Sequence, residues 1–437
     1  MRRRNNIILE YGTYMLAFLV SYIASLAGLY YISGLMLMLE AIFLYVHWVR
    51  QTGNLVELRA LFTLAWVGGQ GIACLQLSKL QQDWQYVTWL CFFLIYIGFG
   101  IGYEWGQKYG KTEEKELEKD EEQAKRLFLC IVGLSVISVI CFVFEAVKVG
   151  FVPLFSDEPH AYSYFHVSGV HYFTISCILI PAITILYIKV SSSIGHRNRM
   201  ILVITNVIAV AVPFLCVSRF QLLFAVGFAV VTYIMVNKKI RLRTMVILVV
   251  ALIPVYVILT VFRHHDVTYL NGIFEMKYAK MPIFITQPYM YVANNFENFN
   301  CMVAQLAEHT WGIRMLFPAF ALTGLKFVFP KLTVSPVYLT KPELTTLTMF
   351  YDAYYDFGIV GVFVFAALLG VVAKILVKIV KRSTNPVSYL FYGQLAIYLG
   401  LAFFTTWFSN PTTWFWLILT GMMYWFVGYD KKRNEEM

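Results

Sequence analysis

The chain is poor in charge. Asp, Glu, Lys and Arg make up 14% of its 437 residues, against about 25% in a soluble globular domain. Apolar residues take their place: 59% of the chain is hydrophobic and the mean hydropathy is +0.66. That composition excludes an ordinary soluble domain and calls for an integral membrane protein. Acidic residues are the scarcer sign, 25 against 35 Lys and Arg, for a net charge of +10. No cationic soluble domain gathers that excess, so nucleic acid is not an expected partner; cytoplasmic loops held inside by basic residues account for it. The seven cysteines show no CxxC and no zinc spacing, which removes a disulfide framework and a metal site from the expectations. No acceptable N-x-S/T sequon (x other than Pro), no convincing internal repeat and no A-x-A cleavage site after Met1-Arg2-Arg3-Arg4 occur, so the first apolar run reads as an uncleaved span.

Long apolar runs, by contrast, are abundant. A helix needs about 20 mostly apolar residues to cross the hydrocarbon. That rule gives twelve candidates: 7–24, 28–49, 57–77, 85–106, 127–147, 169–189, 200–217, 220–236, 244–262, 353–377, 387–408 and 413–428. With a cytoplasmic N-terminus, 25 of the 35 basic residues fall on the inside and the alternation holds at every loop, which also places the C-terminus inside. The expected fold is an all-α polytopic membrane protein of about 12 transmembrane helices. Residues 1–262 form a bundle of about nine spans with a charged cytoplasmic loop at 107–126, 263–350 a large extracytoplasmic loop, and 351–437 the C-terminal helices. The run KTEEKELEKDEEQAKR (111–126) has i, i+4 pairs at Glu121–Lys125 and Glu122–Arg126 and predicts a helical extension into the cytoplasm. Pro181, Pro213 and Pro254 should kink or break their spans.

Candidate chemistry gathers on the outer side. Arg219, Arg263 and Arg314 are the arginines there. Guanidinium forks match phosphate oxygens, so these three suit a pyrophosphate-linked lipid; ordinary headgroup anchoring is the alternative. Arg219 sits in a very short turn between two apolar runs. His309, with His264 and His265, could act as a base; His160, His166 and His171 are weaker candidates. Asp352 and Asp356 share one helix face and are candidate catalytic carboxylates, although the helix dipole alone explains acids at that place. Glu40, Glu104 and Glu145 lie inside apolar runs and either satisfy polar neighbours or line a path. Residues 283–309 mix aromatics and amides and read as a partly helical arm on the outer leaflet. Tyr289, Tyr291, Asn294, Asn295 and Tyr351 are the sugar-binding candidates, since pyranose faces stack on aromatic rings and Asn both donates and accepts.

Arg219 in its short turn, the large late loop, the stretch 149–155 ending Val152-Pro153-Leu154-Phe155, and above all TTLTMFYDAYYDFGIVG at 345–361 together carry a family likeness. From about residue 130 to 430 the layout resembles the oligosaccharide repeat-unit polymerases, the Wzy-type O-antigen and capsule polymerases. The resemblance implies a GT-C-like helical bundle and a membrane glycosyltransferase with no metal or cofactor. Its substrate would be an undecaprenyl-pyrophosphate-linked oligosaccharide, polymerised at the outer face of the cytoplasmic (inner) membrane of a bacterium. Membrane lipids, a flippase and a chain-length regulator are the partners it implies. Arg219 would correspond to the outer arginine that handles the lipid pyrophosphate. An O-antigen ligase-type transferase and a lipid-linked oligosaccharide flippase are the rival readings.

Overall fold

A computed structural model describes residues 2–106, 115–156, 161–238, 267–278, 280–333 and 336–435. The main helices are α1 (Arg2–Leu26), α2 (Tyr30–Thr52), α3 (Leu58–Cys74), α4 (Tyr86–Trp105) and α5 (Glu121–Val149). Next come α6 (Val170–Val190, 3-10 at Ile175–Leu179), α7 (His196–Leu215), α8 (Arg219–Asn237), α9 (Val267–Phe274) and α10 (Ile283–Gln305). The chain ends with α11 (Tyr351–Arg382), α12 (Ser388–Gly400) and α13 (Pro411–Glu435). No strand occurs among the described residues; an isolated bridge joins Ser78 to Met276.

Among the described residues eight helices are long and apolar enough to cross a membrane: α1 from Ile7, α2, α4, α5, α6, α7, α8 and α11. The protein is therefore a multi-pass membrane protein, all-helical among the described residues, where not all of the twelve expected spans are found. The 244–262 candidate lies outside the described residues. The 57–77 candidate is a helix of 17 residues, about 26 Å long. The 387–408 candidate is a 13-residue helix that ends at Gly400, because the chain then turns through Phe404 N–H on the Leu401 carbonyl (3.0 Å) and into a 3-10 turn at Trp407–Ser409. Around 413–428 the helix is longer than expected, 25 residues, yet its Trp, Tyr and Thr content keeps it below the apolarity of the others.

The charge run is also shorter in helix than its pairs suggest. Residues 115–120 are not helical, and α5 begins at Glu121 because Asp120 caps it, accepting from Glu122 N–H (3.1 Å) and Gln123 N–H (3.0 Å). Glu122–Arg126 forms at 3.1 Å, whereas Lys125 turns to Glu122 rather than Glu121. Pro181 starts the last α-helical section of α6, after its 3-10 stretch, and Pro213 lies near the end of α7; Pro254 is outside the described residues.

The chain divides into two compact units that interleave in sequence. The first comprises Met1–Gly110, Asp266–Ile375 and Tyr398–Thr413; the second comprises Lys111–His265, Leu376–Ile397 and Trp414–Met437. In the first, α4 and α11 touch through small residues. A Cβ on Gly102 would lie 1.9 Å from the Ala367 carbonyl oxygen, and one on Gly370 2.1 Å from that of Phe99. Such backbone contact is how helices associate where lipid removes the hydrophobic drive between them. Its core is aromatic: Trp66 meets Phe350 (4.9 Å between ring centroids) and Phe296 (5.3 Å), and Phe92 meets Trp84 (5.0 Å). In the second unit α6 is the central element, with Ile175 to Ile180, Ala182 and Ile183 buried.

The expected outer arm at 283–309 is a different object. It is a continuous helix to Gln305 that packs on α3 and α4 and buries thirteen residues, four of them asparagines.

Candidate active site

The site is built on the first two turns of α11. Asp352 and Asp356 lie one turn apart, as their spacing predicts. Two residues on, Gly358 leaves helical geometry (φ 62°, ψ −147°). A break there strips the carbonyls just before it of their partners one turn ahead. Those carbonyls take new ones from residues 309–311. Tyr355 C=O accepts from His309 Nδ1 (3.1 Å) and Thr310 N–H (3.4 Å), and Asp356 C=O accepts from Trp311 N–H (3.2 Å).

The Asp356 side chain completes the clamp. It is fully buried, and it accepts from Thr310 Oγ1, from Arg314 N–H (3.3 Å) and, at its second oxygen, from Met315 N–H (2.8 Å). Asp352 accepts from Arg314 Nε at 2.5 Å. The Arg314 guanidinium carbon stands 4.6 Å from the Tyr355 ring centroid and 5.6 Å from that of Tyr351, a cation over two aromatic faces. Burial opposes the charge on Arg314, but the Asp352 carboxylate outweighs it and holds the guanidinium above its ordinary pKa. Among the described residues its side-chain hydrogen bond leaves from Nε, so the terminal N–H groups remain for a ligand.

His309 is oriented by the same break. A carbonyl can only accept, so the neutral ring carries its proton on Nδ1 and the lone pair on Nε2. The ring stands edge-on to Tyr354 (5.9 Å) and Trp311 (6.5 Å). Nε2 would lie 2.9 Å from a Cβ on Gly358, a position where φ is also positive. Trp311 itself is 77% exposed, with Phe357 edge-on at 6.3 Å. A half-buried base, a paired cation and an open aromatic face thus occur within six residues of loop. Thr310, Trp311 and Gly358 were not among the expected site residues; the Trp311-Gly312 pair two residues after His309 was the available signal.

Of the sugar-binding candidates, Tyr351 lies at the Arg314 guanidinium; the others are placed elsewhere in the first unit. Asn295 is fully buried, donating to the carbonyls of Tyr291 (2.7 Å) and Phe403 (2.8 Å) and accepting from Thr346 Oγ1 (2.5 Å). Asn294 accepts from Thr340 Oγ1 (2.7 Å). Tyr289 donates to Gln81 Oε1 and accepts from Leu77 N–H (2.8 Å). Tyr351 is buried, accepts from Tyr338 N–H (2.9 Å) and donates to the Tyr338 carbonyl (3.2 Å). Tyr291 is half-buried beside Phe404 (6.0 Å). Beside them stands a carboxyl that was not singled out: Glu297, buried, accepting from Trp84 Nε1 (3.2 Å) and Asn300 Nδ2 (3.2 Å). Burial pushes its pKa up to about 7 against those two hydrogen bonds.

In the second unit Arg219 is the first residue of α8, follows a turn with Val217 at φ 52°, and is 5% exposed. Glu145 is fully buried and accepts from Val167 N–H (2.8 Å), Thr174 Oγ1 (2.7 Å) and His171 Nδ1 (3.1 Å), so it satisfies its neighbours. In the first unit Glu104 pairs with the buried Arg59, which also pairs with Glu10, while Glu40 Oε1 is buried without a partner among the described residues. Arg263, His264, His265 and His160 lie outside the described residues. Among the described residues no group of three or more His, Cys, Asp or Glu converges as a metal site would.

A family model described as "Putative O-antigen polymerase" matches residues 35–403, most of the chain and all of the clamp. No curated protein and no solved structure matches it.

Proposed function

We propose a reaction for a chain that belongs to the O-antigen polymerase family. It joins undecaprenyl-pyrophosphate-linked oligosaccharide repeat units into surface polysaccharide, O-antigen or capsule, at the outer face of the cytoplasmic membrane. The termini lie in the cytoplasm, and a flippase and a chain-length regulator work beside it. A sugar hydroxyl of the incoming unit attacks the anomeric carbon of the growing chain. As that C–O bond forms, the bond from the carbon to the pyrophosphate oxygen breaks, and the lipid pyrophosphate leaves with the electron pair.

His309 Nε2 takes the hydroxyl proton, since a hydroxyl nucleophile needs a base within reach. Guanidinium groups, rather than a metal, meet the charge that develops on the leaving pyrophosphate, and Arg314 is the one assigned to that role; Arg219 and Arg263 are the other candidate pyrophosphate ligands. At the first position of a helix the dipole disfavours a cation and favours an anion, so an anion bound at Arg219 relieves both. Asp352 and Asp356 position Arg314 and the loop.

The observation that carries this reading is the clamp itself: residues 309–315 are fixed to a single broken helix so that a lone-pair nitrogen and a cation are held together. The test is His309→Ala and Arg314→Ala in polymer-producing cells lacking the native gene. The expected result is a collapse of the polymer ladder to single repeat units, with normal protein in the membrane. A persisting ladder refutes the residue roles. Complete loss of surface glycan on gene deletion, with no single-unit band, refutes polymerisation in favour of ligation.

A further inference from the structure

From 309 to 342 the chain holds Arg314, Lys326, Lys331 and Lys341 and not one Asp or Glu, in a protein with 25 acidic residues. Within that stretch the helix Phe317–Leu322 packs on the 3-10 turn Trp407–Ser409, the connection between α12 and α13. The stretch is thereby tied to the level at which two helices end and turn. Gly324 (φ 79°) then sends the chain away from its support. The short helix Leu325–Val328 and the 3-10 turn Pro330–Leu332 bury no residue. Phe327, Val328 and Phe329 are 68%, 67% and 56% exposed, and Lys326 Nζ lies 5.0 Å from the Phe327 ring centroid.

Three consecutive large apolar side chains in the open are costly in water, and each flank carries a lysine. We propose that residues 325–331 (LKFVFPK) are a wedge seated in the bilayer interface. Phe327, Val328 and Phe329 enter the acyl region, and Lys326 and Lys331 lie against lipid phosphates. Aromatic rings and snorkelling lysines both favour that depth. A second copy of the chain is the poorer occupant, because pairing this patch with itself would bring four lysines together with no carboxylate from the same stretch. An anionic lipid surface supplies both the apolar and the charged complement.

The test places a nitroxide on Phe327→Cys, or on Val328→Cys, in the full chain with its seven cysteines replaced. The protein is reconstituted in vesicles of equal parts phosphatidylcholine and phosphatidylglycerol. Strong collision with oxygen and weak collision with a water-soluble nickel chelate is the expected result, with a shallower depth in pure phosphatidylcholine. Free access of the chelate overturns the wedge. Dipolar broadening between labels overturns it in favour of self-association, and protection from both reagents in favour of a protein cover. Equal depth in the two lipid mixtures overturns the part given to the lysines. Because the readout is depth and not polymer, the wedge and the proposed reaction stand or fall separately.

Discussion

Two regions of the first unit, helix α10 and residues 309–315, are alike in composition and unlike in what they leave uncommitted. Both combine aromatic rings with polar side chains, and both are fixed to other elements by hydrogen bonds. Along α10 most of the amide capacity is used up, the exception being Asn294 Nδ2, which is buried with no hydrogen-bond partner among the described residues. Asn298 donates to the carbonyls of Leu344 (2.8 Å) and Thr346 (2.9 Å) and accepts from Thr340 N–H (2.8 Å) and Oγ1 (3.2 Å). Asn300 accepts from Gln85 N–H (3.1 Å) and Thr88 Oγ1 (2.8 Å). In the 309–315 turn the backbone and Asp356 do the holding, which leaves His309 Nε2, the terminal nitrogens of Arg314 and the face of Trp311 to meet something else. A polar residue marks a binding site only by the bonding capacity it retains after folding, and the two regions separate on that criterion.

The comparison breaks most sharply on activity. His309→Ala removes a group held by one hydrogen bond, so stability should shift little while polymerisation falls about 10²–10⁴-fold, the usual worth of a general base. Gly358→Ala should follow it. The new Cβ meets Nε2 at 2.9 Å and forces an alanine to φ 62°, ψ −147°, a strain of about 1–3 kcal/mol. Loss of polymer well beyond the loss of folded protein, measured in one membrane preparation, is the expected signature. A Gly358→Ala protein with full activity would show that the helix break does not position the base.

Next in size is the stability of α10. Asn298→Ala should lower unfolding free energy by about 3 kcal/mol, because it leaves buried carbonyls and an N–H without partners, while the turnover of the folded fraction stays near that of the parent. If Asn298→Ala instead left thermal stability intact and reduced turnover, the division between scaffold and site would be wrong.

How much of this could be read from the chain follows the range of the interactions. The helical face of Asp352 and Asp356 was legible because it depends on spacing four residues apart. The membrane class and most spans were legible from local apolarity. The break at Gly358 was not: a glycine inside an apolar run reads like any other, and only the partners from residues 309–311 reveal what its conformation is for. The bonding of the α10 asparagines was hidden for the same reason. Their distant partners, Thr340, Leu344, Thr346, Phe403, Gln85 and Thr88, are 42 to 215 residues away, and nothing in the local sequence shows that they are there. The cap at Asp120 was within reach, since an Asp just before two Glu is a helix-start pattern.

Glu297 sharpens the comparison from the scaffold side. Burial is the chief reason its pKa is raised to about 7. A folded-state pKa above the unfolded value means that the carboxyl's contribution is whole below the ordinary Glu range. It is lost as pH climbs from there through about 7. Glu297→Gln keeps the shape without the charge. The parent should lose about 2–3 kcal/mol of stability over that window, and the variant should show a flatter unfolding temperature across the same pH values. Equal slopes for the two proteins would mean that Glu297 stays ionised in the fold.

The smallest effect tests the uncommitted face. Trp311 is exposed and lies beside His309, so Trp311→Ala removes no core packing and should leave unfolding unchanged. If a sugar ring stacks there, its loss should raise KM about fivefold, on the order of the 1 kcal/mol that one aromatic contact supplies. Trp311→Phe should restore most of it, because the flat face survives without the indole N–H. Recovery only by a residue that donates a hydrogen bond would make the site read hydroxyls rather than ring faces. An unchanged KM in both variants would move sugar recognition away from this turn while leaving the base and the cation where they are.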